Sequence, residues 1–216
     1  MVQHNLIDKL FGLINSFIEA KGLFVKKGTL VDATIVESTN KPLNHKKREG
    51  LEEDPSSQID TGARSTAKRK KQYFGYKGHI GTDMGSGLIR KKAFAPARPH
   101  DSKLLDKLLS GDGMAVFGDS AYSKKEDKQK ARKQGVYYGV LDKGTRKRKR
   151  SPTQKKNNKK KSNIRAKTEH PFAFMKQEPD YKNTVAKTIE CNGLCFTMNC
   201  ILYNIFRAGY LFPRQS

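Results

Sequence analysis

At 216 residues the chain is long enough for one hydrophobic core with a small insertion. Lys and Arg number 44 against 21 acids, a formal net charge of +23, and hydrophobic residues reach only 35%. That balance excludes an ordinary neutral metabolic enzyme and points to a polyanionic partner, nucleic acid ahead of an anionic membrane surface. No apolar run approaches the roughly 18 residues of a membrane span, and the amphipathic N-terminus contains Asp8, unlike a signal peptide.

Taken in chain order, residues 5–20 carry apolar side chains at helical spacing, with Asn5 as a candidate cap and Gly22 as the stop. Residues 30–36 (LVDATIV) are apolar and β-branched and predict a buried strand. Residues 38–72 are polar, with scattered Pro, Gly and charge, and predict a long loop. Residues 73–82 and 88–95 predict two strands joined by the turn-forming MGSG, hence a hairpin. Asp101 is a candidate cap for a short helix ending at Leu109. A strand over 114–118, a helix over 123–133 and a strand over 136–141 follow. Residues 142–163 predict a low-complexity basic insertion, then comes a helix carrying Glu169 and a last helix over about 184–207. The order predicts a mixed α/β sheet covered by helices.

Three carboxylates stand out: Asp32 in LVDATIVE, Asp119 in AVFGDSAY and Glu169 in RAKTEHPF. Asp32 and Asp119 lie in or at the end of apolar runs, where a bare acid is costly without a cation or hydrogen bonds. Three converging acids in so basic a chain suggest a carboxylate cage for Mg²⁺ and an enzyme that cuts or joins nucleic acid. Asp83, Asp101 and Glu37 read as structural acids: Asp83 lies in the hairpin turn and Asp101 at a helix start. His79 reads as a hydrogen-bonded structural histidine, and Gly75, Gly78 and Gly81 have the wrong spacing and context for a nucleotide-binding loop. Cys191, Cys195 and Cys200 read as small buried helix residues in a reducing compartment. Residues 143–167 hold 13 Lys or Arg, and this run, with Lys147, Arg148, Lys149 and Arg150 at its centre, is expected to contact DNA backbone without reading sequence.

The segments GTLVDATIVE, KKQYFGYKGHIGTDMGSGLI, VFGDSAY and RAKTEHPF, in that order, resemble a DDE transposase of a bacterial insertion sequence, in the insertion sequence five family. The resemblance runs from about His4 to past Lys176. It implies a ribonuclease H-like mixed sheet flanked by helices, with the basic insertion before the last catalytic helix. It also implies Mg²⁺, or Mn²⁺, held by Asp32, Asp119 and Glu169. Arg165 and Lys176 match the Arg and Lys that accompany the family's Glu and would contact phosphate. Ser162 stands where a Tyr is common. Pro171 leaves two arrangements open: a helix starting at Glu169 with Arg165 on the preceding loop, or a kinked helix carrying both.

The expected organisation is a helical N-terminal remnant (1–29), a catalytic domain (30–209) and a tail (210–216), with the family's N-terminal DNA-binding region absent. The expected function is Mg²⁺-dependent phosphodiester hydrolysis and strand transfer on double-stranded DNA, in the cytoplasm on the nucleoid, as a homodimer on paired DNA ends and with no membrane partner. The alternative is a truncated, catalytically inactive, transposase-derived basic nucleic-acid-binding protein. A ribosome-associated basic protein fits the composition but leaves the three acids unexplained.

Overall fold

The computed structural model describes residues 3–42, 44, 59–68, 71–144 and 149–212. Helix α1 (Gln3–Ala20) begins before Asn5, which therefore lies inside the helix and does not cap it. Gly22 ends α1 at φ +68°, and Leu23 N–H closes the last turn on the Ile18 carbonyl at 3.2 Å. Strands β1 (Thr29–Glu37), β2 (Arg64–Lys68), β3 (Lys71–Asp83), β4 (Ile89–Pro96), β5 (Ala115–Gly118) and β6 (Tyr137–Tyr138) form one sheet.

β1 pairs antiparallel with β3 and parallel with β5, and β5 pairs parallel with β6. β4 and β2 pair antiparallel with successive stretches of β3. The antiparallel β4-β3-β1 meander followed by parallel β5 and β6 is a ribonuclease H-like sheet, as expected. The hairpin of β3 and β4 also forms as its turn residues predict.

Helices cover both faces. Residues 78 and 81 of β3 differ in parity and so face opposite sides. A Cβ on Gly78 would lie 2.3 Å from the Phe196 ring, and one on Gly81 would lie 2.2 Å from the Leu108 carbonyl. These glycines serve close helix-on-sheet packing. On one face, α1, α5 (Glu169–Gln177) and α6 (Ile189–Leu211) bury Phe11, Met175, Phe196 and Cys200 against Val36 and Ile80. On the other, α2 (Leu105–Leu108) and Tyr122 pack on Val31 and Val116.

The structure corrects several expectations. The loop predicted over 38–72 contains β2 and the start of β3; β2 is polar and largely exposed, so no alternation marks it. Within that span, residues 43, 45–58 and 69–70 lie outside the described residues. Much of the 142–163 segment is helical: α4 (Pro152–Arg165) starts in a capping box, where Ser151 Oγ accepts from Gln154 N–H and Gln154 Oε1 accepts from Ser151 N–H, with Pro152 in the first turn. Asn158 is its one buried residue, so no apolar period revealed it.

His100, rather than Asp101, caps the turn that leads into α2. Helix α3 (Lys125–Lys133) starts two residues later than expected, and α6 starts at Ile189 with Thr188 as its cap. β6 is only two residues long, although Gly139 and Leu141 N–H still bond to β5 carbonyls. Of the cysteines only Cys200 is buried; Cys195 is partly exposed and Cys191 exposed.

Candidate active site

Parallel pairing of β1 with β5 runs Thr29↔Val116, Leu30↔Phe117, Val31↔Gly118 and stops. The next residues are Asp32, still inside β1, and Asp119, just past the end of β5, so two half-buried carboxylates of neighbouring strands face one groove. β5 stops there because Asp119 Oδ1 accepts from Ser120 N–H at 2.6 Å and caps the 3₁₀ turn Ser120–Tyr122.

Asp32 is held by a segment more than 130 residues later in the chain. Its Oδ1 accepts from Ala33 N–H at 2.9 Å. Its Oδ2 accepts from Arg165 Nη1 at 2.8 Å and lies 3.1 Å from Thr168 Oγ1. The Thr168 hydroxyl is also 2.8 Å from the Arg165 carbonyl, so its single hydrogen is shared between two acceptors. Arg165 Nε is buried without a partner among the described residues. Burial pushes the Asp32 pKa up; Arg165, then the Ala33 N–H and Thr168, pull it down, and Asp119 pushes it up again. The net direction is upward, so the surroundings leave the negative charge of Asp32 under-compensated.

The two aspartates line a groove of about 370 Å³ together with Lys68, Lys77, Arg98 and Asp101. Lys77 Nζ pairs with Asp101 at 2.7 Å, while Lys68 and Arg98 are exposed. Tyr122 lies nearby, and His79 Nδ1 is 2.9 Å from its hydroxyl. Burial lowers the His79 pKa to about 4, keeping the ring neutral. Burial and the charges of Asp101, Asp32 and Asp119 push the Tyr122 pKa up, keeping the phenol protonated.

Arg165 ends α4, and a 3₁₀ turn, Ala166–Thr168, joins it to α5, so the arrangement is the kinked one. Pro171 falls in the first turn of α5, where its missing N–H costs little. Glu169 opens α5 and is exposed, whereas Phe172 of the same helix is in the core. Among the described residues no group of three His, Cys, Asp or Glu side chains is close enough to hold a metal ion.

Lys176 is half-buried, and burial followed by the charge of Lys68 lowers its pKa. The charge of Glu37 opposes that shift. Lys149 and Arg150 are exposed on the approach to α4; Lys147 and Arg148 lie outside the described residues. Lys68, Lys77, Arg98 and Thr168 escaped the sequence reading because only strand pairing and the α4–α5 joint bring them near Asp32.

Two comparisons bear on these residues. The family described as "Transposase DDE domain" matches residues 24–205. A solved structure, the catalytic core domain of BIV integrase, is similar at 12% identity with a TM-score of 0.28, covering 63% of this chain and 78% of that one.

Proposed function

The chain belongs to the transposase DDE domain family, and we propose that it is the catalytic domain of a bacterial insertion-sequence transposase of the insertion sequence five branch, hydrolysing and transferring phosphodiester strands of double-stranded DNA. The observation that supports this most is the pair of Asp32, within β1, and Asp119, at the end of the neighbouring parallel β5, lining a groove with basic walls.

The two aspartates fit Mg²⁺ or Mn²⁺. Both offer hard carboxylate oxygens, and Asp32 carries charge that Arg165 only partly offsets. Glu169 is assigned as the third ligand because it directly follows the turn bonded to Asp32. Bound divalent ions would activate water or a DNA 3′-hydroxyl and steady the leaving oxygen.

The chain's own residues position the DNA. Arg165 holds a non-bridging phosphate oxygen with its planar fork. Lys176, Lys149 and Arg150, with Lys147 and Arg148, contact backbone phosphates without reading bases. His79 and Tyr122 form a neutral hydrogen-bonded support beside the acids. The protein acts in the cytoplasm on nucleoid DNA, as a homodimer on paired ends.

The test is nicking of supercoiled plasmid with Mg²⁺ or Mn²⁺ by wild type, Asp32→Asn, Asp119→Asn and Glu169→Gln. Metal-dependent nicking lost in all three variants is expected; nicking that survives Asp32→Asn sinks the proposal. A second reading, a basic DNA-binding protein without catalysis, is favoured by Arg165 on Asp32 and by the exposed Glu169. It predicts no nicking and salt-sensitive binding that persists in EDTA.

A further inference from the structure

β5 pairs with β1 only as far as Val31, so this edge of β1 is open to the groove from Asp32 onward. Asp32, Ala33, Thr34 and Ile35 all line the groove. Successive strand residues point to opposite faces, so the groove wraps the edge instead of lying on one face. Arg165 reaches Asp32 from the α4–α5 joint. Asp32 stands opposite Ile80, whereas Lys77 shares the face of His79. Two cations therefore flank the open edge from the two faces of the sheet.

Lys77 pairs with Asp101 at 2.7 Å, and the two side chains keep 14% and 17% of their exposure, so both reach the groove from a packed setting. After burial, the charge of Asp101 is the first of those that raise the Tyr122 pKa, ahead of Asp32 and Asp119. Asp101 is thus a third acid of the groove, and without a counter-ion it repels a polyanion. Lys77 removes that repulsion. Among the described residues Asp101 is the only hydrogen-bond partner of Nζ, so two of its three N–H groups are left for a ligand. Residues 71, 73, 75 and 77 share one face of β3. Lys71 and its cross-strand neighbour Lys68 carry the line of positive charge away from the acids.

We infer that Lys77 is a further phosphate-holding residue, gripping a non-bridging oxygen of the reacting phosphodiester, and that Asp101 is a positioning residue that aims it. The inference rests on the reading of the groove as the DNA site. In-line displacement builds negative charge on the non-bridging oxygens, and fixed cations aimed at them lower the barrier. A lysine is a point charge on a flexible stem. Asp101 takes one N–H and fixes that stem, while Arg165 meets the phosphate from the other face.

Binding of supercoiled plasmid in EDTA across a salt series, then Mn²⁺-dependent nicking, tests this with wild type, Lys77→Met, Lys77→Arg and Asp101→Ala. Lys77→Met should weaken binding and lower the slope of log affinity against log salt by about 1, while Lys77→Arg keeps the slope. Asp101→Ala should tighten binding, because the groove gains net positive charge, yet lower kcat by about tenfold or more through a misplaced Lys77. A bridge that only ties β3 to the turn before α2 predicts a lower thermal midpoint in Lys77→Met and Asp101→Ala with an unchanged slope, and that result overturns the inference. So does an Asp101→Ala variant that binds more weakly than wild type. Wild type that binds without nicking removes the catalytic reading alone, and the salt series still decides the role of Lys77. Wild type that does not bind plasmid removes both.

Discussion

Replacing Asp83 with Ala should cost more stability than any change at the carboxylates of the groove. Asp83 is fully buried. Its Oδ2 accepts from the N–H groups of Val25, Gly85 and Ser86 at 3.2, 3.1 and 2.8 Å, and from Ser86 Oγ at 2.9 Å. Its Oδ1 accepts from Lys26 N–H at 2.8 Å, where Lys26 is held at φ +57°. One side chain thus ties the segment entering β1 to the β3–β4 turn.

Asp83→Ala strands four backbone donors while the Ser86 hydroxyl can turn elsewhere. Counting about 2 kcal/mol for the buried Ser86 N–H and about 1 for each of the three part-buried donors gives a loss of about 5 kcal/mol. That approaches the whole stability of a marginal domain, roughly 5–15 kcal/mol. Asp83→Asn keeps the amide oxygen toward three of these donors and strands only Lys26, for about 1 kcal/mol. Urea unfolding followed by circular dichroism reads both, through a lowered midpoint at constant slope. A loss below about 1 kcal/mol for Asp83→Ala would refute the view that this acid is the anchor of the β1 entrance.

Three further outcomes are expected. Gly78→Ala puts a Cβ 2.3 Å from the Phe196 ring and should cost about 1–3 kcal/mol by overpacking, read as a lower midpoint in thermal unfolding; an unchanged midpoint contradicts the close approach. His79 has its folded pKa depressed from 6.5 to about 4, so the unfolded chain takes up protons first as pH falls. Stability is then complete above about pH 6.5 and lost progressively toward pH 4, by about 3 kcal/mol, and His79→Gln should flatten that part of the pH–stability curve. Changing the exposed Lys155, Lys156, Lys159 and Lys160 of α4 to Ala should weaken plasmid binding and reduce the slope of log affinity against log salt by about 3–4; an unchanged slope removes α4 from the DNA surface.

The sequence reveals elements where burial is two-sided or strictly periodic. β1 is readable because its β-branched apolar run is buried, and the β3–β4 hairpin because turn residues separate two apolar runs. Asp32 and Asp119 are conspicuous for the same reason, an acid in or at the end of an apolar run. β2 and α4 leave no such mark: β2 is a wet edge strand, and α4 rests on its caps and on Asn158, whose side chain makes a reciprocal pair with the backbone of Asp142. The groove walls are illegible because Lys68, Lys77 and Arg98 sit on three different segments that meet only through strand pairing. Gly78 and Gly81 fall in a run that reads as strand, but nothing in the sequence explains their bareness, since the helix backbones and rings that need it are remote in the chain.

The bond from Arg165 to Asp32 also sets a clock. A ribosome delivers Asp32 early and Arg165 far later, after every strand of the sheet has emerged. β1 to β4 all lie in the first half of the chain and can pair while the rest is still being made. Throughout that interval the acid in β1 sits in a forming sheet without the guanidinium that pairs with it. A product cut short before residue 165 lacks that pairing for good, and the last quarter of synthesis is what brings it within reach.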